Sequence, residues 1–382
     1  NTMLIDFSVA GFASIQKRQE LTFCAFSGQR IKGTKYEDNY ILTSESRPAK
    51  STIIFGNNAV GKTNLLHAID SLIHIIKEEK IFSNNRLFNI LSNNIQYNIT
   101  VESKQENLYQ YSLVIDKNQT VLSEKLEQNN KIIYKFEDNI LSSDVLEDAV
   151  TEIYSRKSTA TILSKIKDFI SDIYIDFIDT INSISVITDP FINPDVKPFN
   201  ITITEDQRIL IEENKDLTLE ILAQLDGTIS SIELEKRTIA EEESVSYDVY
   251  IVRDLGEQDP VRLPLAYESK GIKRIMAILT SLLRVHNGRT VLIDELDASI
   301  STKSLILLFN HIINSNSNTC GQLVVTSHNL ELFNINLFAP EQIYITTKDQ
   351  TLSTIVNSLA DFDLRSNKKR LAIDYLQGKF EV

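Results

Sequence analysis

Residues 51–68 read STIIFGNNAVGKTNLLHA, and this stretch determines the fold expected of the whole chain. The β-branched and apolar run at 52–55 predicts a buried strand, and the amphipathic pattern that begins at Asn64 predicts a helix. The loop between them begins with Gly56 and ends in Gly61-Lys62-Thr63. Because a strand, a glycine-bounded loop and a helix N-terminus together form a phosphate-binding loop, the stretch predicts that the chain binds a nucleoside triphosphate.

Each residue type in this loop suits contact with phosphate. Gly56 and Gly61 allow backbone angles and a close approach that a Cβ atom would prevent. Lys62 is placed to reach the β- and γ-phosphates, and the Thr63 hydroxyl is placed to bind Mg²⁺. The residues predicted to contact the nucleotide here are Gly56, Asn57, Asn58, Ala59, Val60, Gly61, Lys62, Thr63 and Asn64.

The composition narrows the class of protein. The chain has 382 residues, of which 42% are hydrophobic, and a net charge of −13. No apolar run approaches the ~20 residues that a membrane span requires, and no signal peptide is visible, so we expect a cytoplasmic protein with no membrane partner. Cys24 and Cys320 show no metal-binding spacing, and we expect two reduced thiols. The acidic charge argues against a protein that coats nucleic acid, although it leaves room for a local basic groove.

The remaining sequence predicts two sheets and an inserted subdomain. Residues 3–26 and 95–138 contain short strand-like runs, and the second region predicts an antiparallel meander of three strands. Apolar residues between 162 and 184 step by three or four and predict one face of a helix. Strands at 290–296 and 322–329 are apolar without alternation, which predicts a parallel sheet buried on both faces. The predicted domains are residues 1–140, 141–254 and 255–382.

Three polar residues stand at the carboxyl ends of these two apolar strands. Asp294 and Glu295 end the first strand, and His328 ends the second. In open α/β sheets this edge binds the ligand. Asp294 suits a Mg²⁺ ion, Glu295 suits the orientation and activation of an attacking water, and His328 suits a donor that senses the γ-phosphate. The predicted metal ligands are Thr63 and Asp294, and the predicted catalytic residues are Glu295, His328 and Lys62.

The order of these motifs resembles the head of an ATP-binding-cassette ATPase. The phosphate loop is followed by a long insertion, then by Glu268-Ser269-Lys270-Gly271, IDELDAS and TSHN. The resemblance implies an α/β fold: a P-loop head of two halves with a mixed or parallel core sheet, an antiparallel β lobe and an inserted helical subdomain. It also implies that Ser269 and Gly271 act in trans, closing over ATP held by a second copy, and that Asp297 communicates across that dimer.

More closely, the chain resembles the abortive-infection, RloA/AbiL-type AAA ATPases of bacterial anti-phage defence. The matching segments are LIDFSVAGFASI, FGNNAVGKTNLL, LDGTISSIEL, YESKGIKRI, VLIDELDAS, QLVVTSHN, EQIYITTKD and YLQGKF. The resemblance implies ATP and Mg²⁺ as cofactors, ATP hydrolysis, and a homodimer or higher oligomer that senses infection. It also places toxicity in a separate effector, such as a Toprim-type nuclease encoded beside the chain. Asp361 and Asp363 match a nuclease pattern but belong to the ordinary C-terminal segment of the family.

The chain departs from the family pattern at several positions. Ala13 stands where relatives have an Arg, and Ile272 stands where they have a Thr. Residues 300–302 replace a Leu-His-Pro, and Gln96 is only a weak candidate for the glutamine that couples Mg²⁺ to the helical lobe. These departures bear on the rate of hydrolysis more than on nucleotide binding.

Two other functions are compatible with the sequence. One is a DNA-repair-like ATPase that binds nucleic acid directly across its dimer, and the net charge of −13 argues mildly against it. The other is a scaffold that assembles on nucleotide and hydrolyses it poorly, and the departures near the signature keep this alternative open.

Overall fold

The structure, a computed structural model, describes residues 2–26, 28–81, 87–188, 202–237, 245–256, 259–298, 300–362 and 371–380. The strands are β1 (Met3–Ala10), β2 (Gln19–Thr22), β3 (Ser51–Phe55), β4 (Asn94–Glu102), β5 (Leu108–Asp116), β6 (Val121–Gln128), β7 (Lys131–Glu137), β8 (Ile140–Ser142), β9 (Ile184–Ile187), β10 (Thr202–Thr204), β11 (Ile229–Arg237), β12 (Ser246–Arg253), β13 (Val261–Pro264), β14 (Thr290–Ile293), β15 (Gln322–Ser327), β16 (Ile343–Lys348) and β17 (Thr354–Ser358). The α-helices are α1 (Lys62–Glu78), α2 (Asp148–Tyr154), α3 (Ile162–Ile166), α4 (Ser171–Asn182), α5 (Glu205–Glu213), α6 (Lys215–Ala223), α7 (Lys270–His286), α8 (Thr302–Leu307) and α9 (Leu371–Leu376). Within the described part of the chain, no helix has both the length and the apolar character needed to cross a bilayer.

A six-stranded core sheet carries the predicted phosphate loop. Its strand order is β17-β16-β3-β15-β14-β9, and the pairs β16–β3, β3–β15, β15–β14 and β14–β9 are all parallel. Every residue of β3, β14 and β15 is buried, as the absence of alternation predicted. Because these strands are parallel, their carboxyl ends meet at one edge of the sheet.

Layers of apolar side chains cover both faces of this sheet. Ile54 and Val324 belong to a cluster shared with α1 and the antiparallel sheet. Ile53 and Val325, which neighbour them on the same strands, belong to a second cluster shared with α7. Successive residues of a strand point to opposite faces, so the core sheet is filled from both sides.

The antiparallel lobe is a seven-stranded sheet of order β2-β1-β4-β5-β6-β7-β8. Three strands of the predicted meander are present, but the structure has a fourth, β6, between the second and third. Its inward positions include Val121, Glu124 and Leu126. Because an acidic residue occupies a core position, the alternation that identifies a strand is hidden in the sequence VLSEKLEQ.

The prediction that the apolar residues between 162 and 184 form one face of a single helix is wrong. The segment forms α3, a 3-10 turn at Lys167–Ile170 and α4, and Ile184 begins strand β9. Phe169 is 54% exposed and lies off the buried face. A 3-10 turn has three residues per turn, so spacings of three or four residues do not reveal the break. Strand β9 pairs with β14, so the predicted insertion 141–254 contributes one strand to the core sheet.

A small third sheet leads into the segment before α7. Strand β12 pairs with β11 on one side and with β10 and β13 on the other. Helices α5 and α6 pack between this sheet and α7. The chain connecting β9 to β10, residues 189–201, lies outside the described residues. The two predicted domain boundaries, after residues 140 and 254, stay a prediction.

Glu124 ties the antiparallel sheet to the helical insertion. Its side chain is fully buried, and Oε1 accepts hydrogen bonds from the Tyr111 and Tyr134 hydroxyls at 3.1 and 2.7 Å. The backbone N–H groups of Ile162 and Leu163, at the start of α3, donate to its two oxygens at 2.5 and 2.9 Å. Burial raises the pKa of the Glu124 carboxyl, and the four hydrogen bonds oppose that rise.

Replacing Glu124 with Gln should destabilise the fold. The new amide N–H₂ group must face one of four donors, which leaves a buried donor unsatisfied. We expect the free energy of unfolding to fall by about 2–4 kcal/mol, as measured by urea denaturation. The matched control is Glu137→Gln on β7, where the side chain is 52% exposed and a change within about 0.5 kcal/mol is expected. Equal unfolding midpoints for the two variants would contradict the role of Glu124.

Candidate active site

The phosphate loop joins β3 to α1 and needs glycine at both ends. Gly61 has φ +105°, and a Cβ atom there would lie 2.1 Å from Thr354 Oγ1 and 2.7 Å from Ser14 Oγ. A Cβ atom on Gly56 would lie 2.9 Å from the Thr346 carbonyl oxygen. Both approaches are shorter than van der Waals contact, so the neighbouring chain segments press directly against the loop.

Lys62 lies folded over this loop. Its side chain is buried, and Nζ donates to the carbonyl oxygens of Gly56 at 2.6 Å and Asn57 at 3.0 Å. Burial lowers the pKa of Lys62, while the carboxylates of Glu295, Asp294 and Asp297 act in the opposite direction. A bound phosphate would offer the ammonium charged oxygens in place of these carbonyls.

Asp294 joins the loop to two strands of the core sheet. Strand β14 ends at Ile293, so Asp294 lies just beyond it, and its Oδ2 accepts from the Thr63 hydroxyl at 2.8 Å. The Thr326 hydroxyl, near the end of β15, donates to Asp294 Oδ1 and accepts from the Glu295 N–H at 2.7 Å. One threonine therefore holds both predicted carboxylate residues in position.

The oxygens of Thr63 and Asp294 suit Mg²⁺. This ion is usually bound in proteins by one or two side chains together with substrate phosphates and water. Within the described ranges, no three His, Cys, Asp or Glu side chains gather into a metal-binding group. The two residues would hold the ion against the phosphates of a nucleotide seated on the loop.

Glu295 has a backbone conformation that is uncommon for a residue with a side chain. Its φ is +47°, in the left-handed region, and the side chain is exposed. The Glu295 N–H is held by Thr326, and its carbonyl oxygen accepts from Arg274 Nη2 on α7 at 2.8 Å. Hydrogen bonds on both sides of the residue thus maintain a turn that directs the carboxylate toward the loop.

These groups surround a cavity of about 360 Å³. It is lined by Ser14, Asn58, Ala59, Gly61, Lys62, Thr63, Asn64, Glu295 and Lys348. Of the other predicted residues, Gly56 and Asn57 bond to Lys62, and the Val60 carbonyl oxygen accepts from Thr354 Oγ1 at 2.9 Å. The structure therefore brings the predicted loop and Glu295 together around one space.

His328 and Asp297 lie next to each other. His328 Nδ1 is 3.6 Å from Asp297 Oδ2, and the His328 side chain is 54% exposed whereas that of Asp297 is buried. Neither residue lines the cavity. The sequence assigned them separate roles, as γ-phosphate sensor and as dimer contact, whereas the structure places them as a pair. Ser299, in the same predicted motif, lies outside the described residues.

Ser269 and Gly271 lie at the start of α7, in a turn that is firmly anchored. Ser269 caps the helix, and its Oγ accepts from the Ile272 N–H at 3.2 Å. The preceding Glu268 is buried, and both its oxygens accept from the Arg253 guanidinium, at 2.5 and 2.8 Å. Ser269 is exposed, and neither it nor Gly271 is among the residues that line the cavity of the same chain.

The sequence did not identify several residues of the site. Thr326 stands within the quoted TSHN motif, two positions before His328. Its place in that motif could have identified it as a residue of the site. Ser14, Thr354 and Lys348 reach the loop from distant parts of the chain. Ser14 and Lys348 lie in the quoted segments LIDFSVAGFASI and EQIYITTKD, but no role in the site was predicted for them. Arg274 stands within the quoted segment YESKGIKRI, three positions after Gly271, but that segment predicted roles only for Ser269 and Gly271.

Other predicted positions lie away from the cavity. Gln96 is exposed on β4 and donates to Asn94 Oδ1 at 3.4 Å. Ala13 has φ +45°, and its N–H donates to the Leu87 carbonyl oxygen at 2.7 Å. Asp361 accepts from the Ser358 N–H at 3.0 Å as part of a helix cap, whereas Asp363 lies outside the described residues.

Replacing Thr326 with Val should impair the site without unfolding it. Valine keeps the shape of threonine but leaves Asp294 Oδ1 and the Glu295 N–H without their shared partner. We expect Mg²⁺-dependent ATP turnover to fall by about 10–100-fold. The measurement is turnover as a function of Mg²⁺ concentration, with Thr326→Ser as the control that restores the hydroxyl. Turnover in the Val variant equal to that of the parent at every Mg²⁺ concentration would contradict this role.

Comparison with solved structures identifies the fold of the chain. One similar solved structure is described as the SmcHead bound to the C-winged helix domain of ScpA. Its TM-score is 0.50 at 13% identity, and the alignment covers 93% of this chain and 97% of that one. Another is described as the Smc head domain with an extended coiled coil bound to the C-terminal domain of ScpA derived from Pyrococcus furiosus. Its TM-score is 0.50 at 12% identity, and the alignment covers 100% of both chains. The chain thus has the SMC-head, ABC-ATPase-like α/β fold that the sequence predicted.

Sequence comparison identifies the family. No curated protein sequence matches the chain at a significant level. Residues 51–334, from the phosphate-loop strand to just beyond His328, match the family described as "AAA domain, putative AbiEii toxin, Type IV TA system". Because this match spans well over half of the chain, the protein belongs to that AAA-domain family.

Proposed function

We propose that this protein is a Mg²⁺-dependent ATPase that dimerises on ATP and regulates a separate effector in bacterial anti-phage defence. The observation that carries the proposal is the hydrogen-bonded group of Thr63, Asp294, Thr326 and Glu295 beside the phosphate loop. This group offers the oxygens of Thr63 and Asp294 to a metal ion and the exposed Glu295 carboxylate to a water molecule.

The residues of the chain suit hydrolysis of the γ-phosphate. Lys62 and the loop N–H groups would bind the phosphates, and Mg²⁺ on Thr63 and Asp294 would neutralise part of their charge. Glu295 would orient a water molecule for in-line attack on the γ-phosphorus and accept its proton. As the new P–O bond forms, the bond to the β-phosphate oxygen breaks, and ADP and phosphate leave.

The signature turn supports assembly in trans. Ser269 is exposed, Glu268 fixes the turn through Arg253, and neither Ser269 nor Gly271 lines the cavity of its own chain. A rigid, exposed helix N-terminus suits contact with a phosphate held by a second copy. His328 and Asp297 would complete the same composite site, as donor to the γ-phosphate and as contact across the dimer.

The role in defence rests on similarity. The family description names an AbiEii toxin of a type IV toxin–antitoxin system, and the motifs resemble the RloA/AbiL-type ATPases. The two solved structures named above are described with a bound protein partner, ScpA. We infer that this chain likewise works with a protein partner, a Toprim-type nuclease effector, in the cytoplasm.

The decisive measurement is the mass of the purified protein with Mg·ATP. In the Glu295→Gln variant, turnover should fall by roughly 100-fold or more, because the general base is lost while the loop is intact. We expect this variant to remain a dimer or larger particle with ATP, whereas the parent should return to its starting mass as ATP is consumed.

The control variant is Ser269→Arg, which places a large side chain on the exposed turn away from the cavity. It should still bind ATP as a single chain but should not assemble when combined with Glu295→Gln. ATP binding with no change of mass in any variant would contradict the trans arrangement. If Glu295→Gln instead forms a stable particle with ATP, that particle is the sample in which to identify the effector.

A further inference from the structure

We propose that Lys348 is a nucleotide-binding residue that contacts the α-phosphate side of the bound triphosphate. It is the last residue of β16, far from the phosphate loop in sequence, and no motif assigns it a role. The inference rests on the proposed function, since it requires a nucleotide in the cavity.

Lys348 lines the cavity and has no ionic partner among the described residues. It is exposed, and the loop residues that line the cavity with it are Asn58, Ala59, Gly61, Lys62, Thr63 and Asn64. Among the residues that the structure describes, none forms a hydrogen bond or ion pair with its ammonium group. A cation that points into an anion-binding cavity without a protein partner is available to a ligand.

Strand pairing and side-chain bonds fix the hairpin that carries Lys348 to the phosphate loop. Thr354 lies opposite Lys348 across the hairpin; its Oγ1 donates to the Val60 carbonyl oxygen at 2.9 Å, and its N–H donates to the Ser14 carbonyl oxygen at 2.8 Å. Ser14 Oγ in turn accepts from Asn64 Nδ2, in the first turn of α1, at 2.8 Å. Lys348 therefore has a defined position relative to the loop.

The turn of the hairpin is itself well ordered by one carboxylate. Asp349 Oδ1 accepts from the Thr351 and Ser353 N–H groups at 2.8 and 2.9 Å. The hydrogen bond from the Thr351 hydroxyl and the backbone bond from Ser353 lower the pKa of Asp349. Within the described part of the chain, no ion pair joins the Asp349 carboxylate to Lys348.

Sheet order indicates which end of the nucleotide Lys348 meets. Strand β16 pairs with β3, and β15 and then β14 lie on the other side of β3. Since all four are parallel, Lys348 and Glu295 reach the same edge on opposite sides of the loop. The γ-phosphate must face Glu295 and the Thr63–Asp294 pair for hydrolysis, so Lys348 faces the part nearer the nucleoside.

The chemistry of the lysine side chain suits a contact with phosphate. Ser14, which also lines the cavity, is hydrogen-bonded to Thr354 Oγ1 at 2.6 Å. Lys348 brings a positive charge to the same side of the cavity from another strand. Lysine suits this role because its ammonium is a compact point charge on a flexible stem.

The test compares the affinities of ADP and of a non-hydrolysable ATP analogue, measured by calorimetry with Mg²⁺. In Lys348→Gln we expect both dissociation constants to rise by a similar factor, roughly 10-fold, because the α-phosphate is common to both ligands. Lys348→Arg should retain most of the affinity. The matched control is Lys17→Gln, an exposed lysine near Asp349 that does not line the cavity, with less than about a twofold change expected.

Each other outcome has a distinct meaning. Weaker binding of the ATP analogue alone would place Lys348 at the γ-phosphate and overturn the assignment, as would unchanged affinities for both ligands. An equal loss of nucleotide affinity in Lys17→Gln would show that general surface charge causes the effect, and it would also overturn the assignment. If the unaltered protein bound neither nucleotide, the proposed function would fall as well.

Discussion

The Asp294 carboxylate, held between two threonine hydroxyls, is the interaction on which the rest of the site depends. Thr63 belongs to the helix after the phosphate loop, and Thr326 belongs to the strand between β3 and β14. A buried carboxylate is tolerated only with such partners, so β14, β15 and the loop must keep a common register. The core sheet provides that register through three parallel, fully buried strands.

Two further links extend from this point toward other parts of the molecule. Thr326 and Arg274 hold the two sides of the Glu295 peptide, and Arg274 stands on the helix that Ser269 caps. The hairpin of β16 and β17 braces the opposite flank of the loop through Thr354. The phosphate loop is thus supported by groups from both ends of the chain, which explains why its glycines cannot be replaced.

Sequence reasoning succeeded where the information was local. The strand, loop and helix around Lys62 lie within one short stretch, and unalternating apolar runs identified the buried strands. It failed where a residue's neighbours are distant in sequence. Thr326 meets its partners only when β14 and β15 are aligned, and Lys348 lines the cavity only because β16 lies beside β3. It also failed where one polar core residue masked a pattern, as Glu124 did in β6, and where a 3-10 turn preserved helical spacing across a break.

Strand β9 has a consequence for how the inserted segment can vary. It covers one side of β14, whose four residues are all buried, and hydrogen-bonds along its whole length. Without β9, an apolar strand would become a sheet edge with unpaired N–H and C=O groups, which invites edge-to-edge aggregation. Truncation or exchange of residues 141–254 therefore has to spare the stretch around Ile184–Ile187, since the core sheet is not a self-contained unit without it.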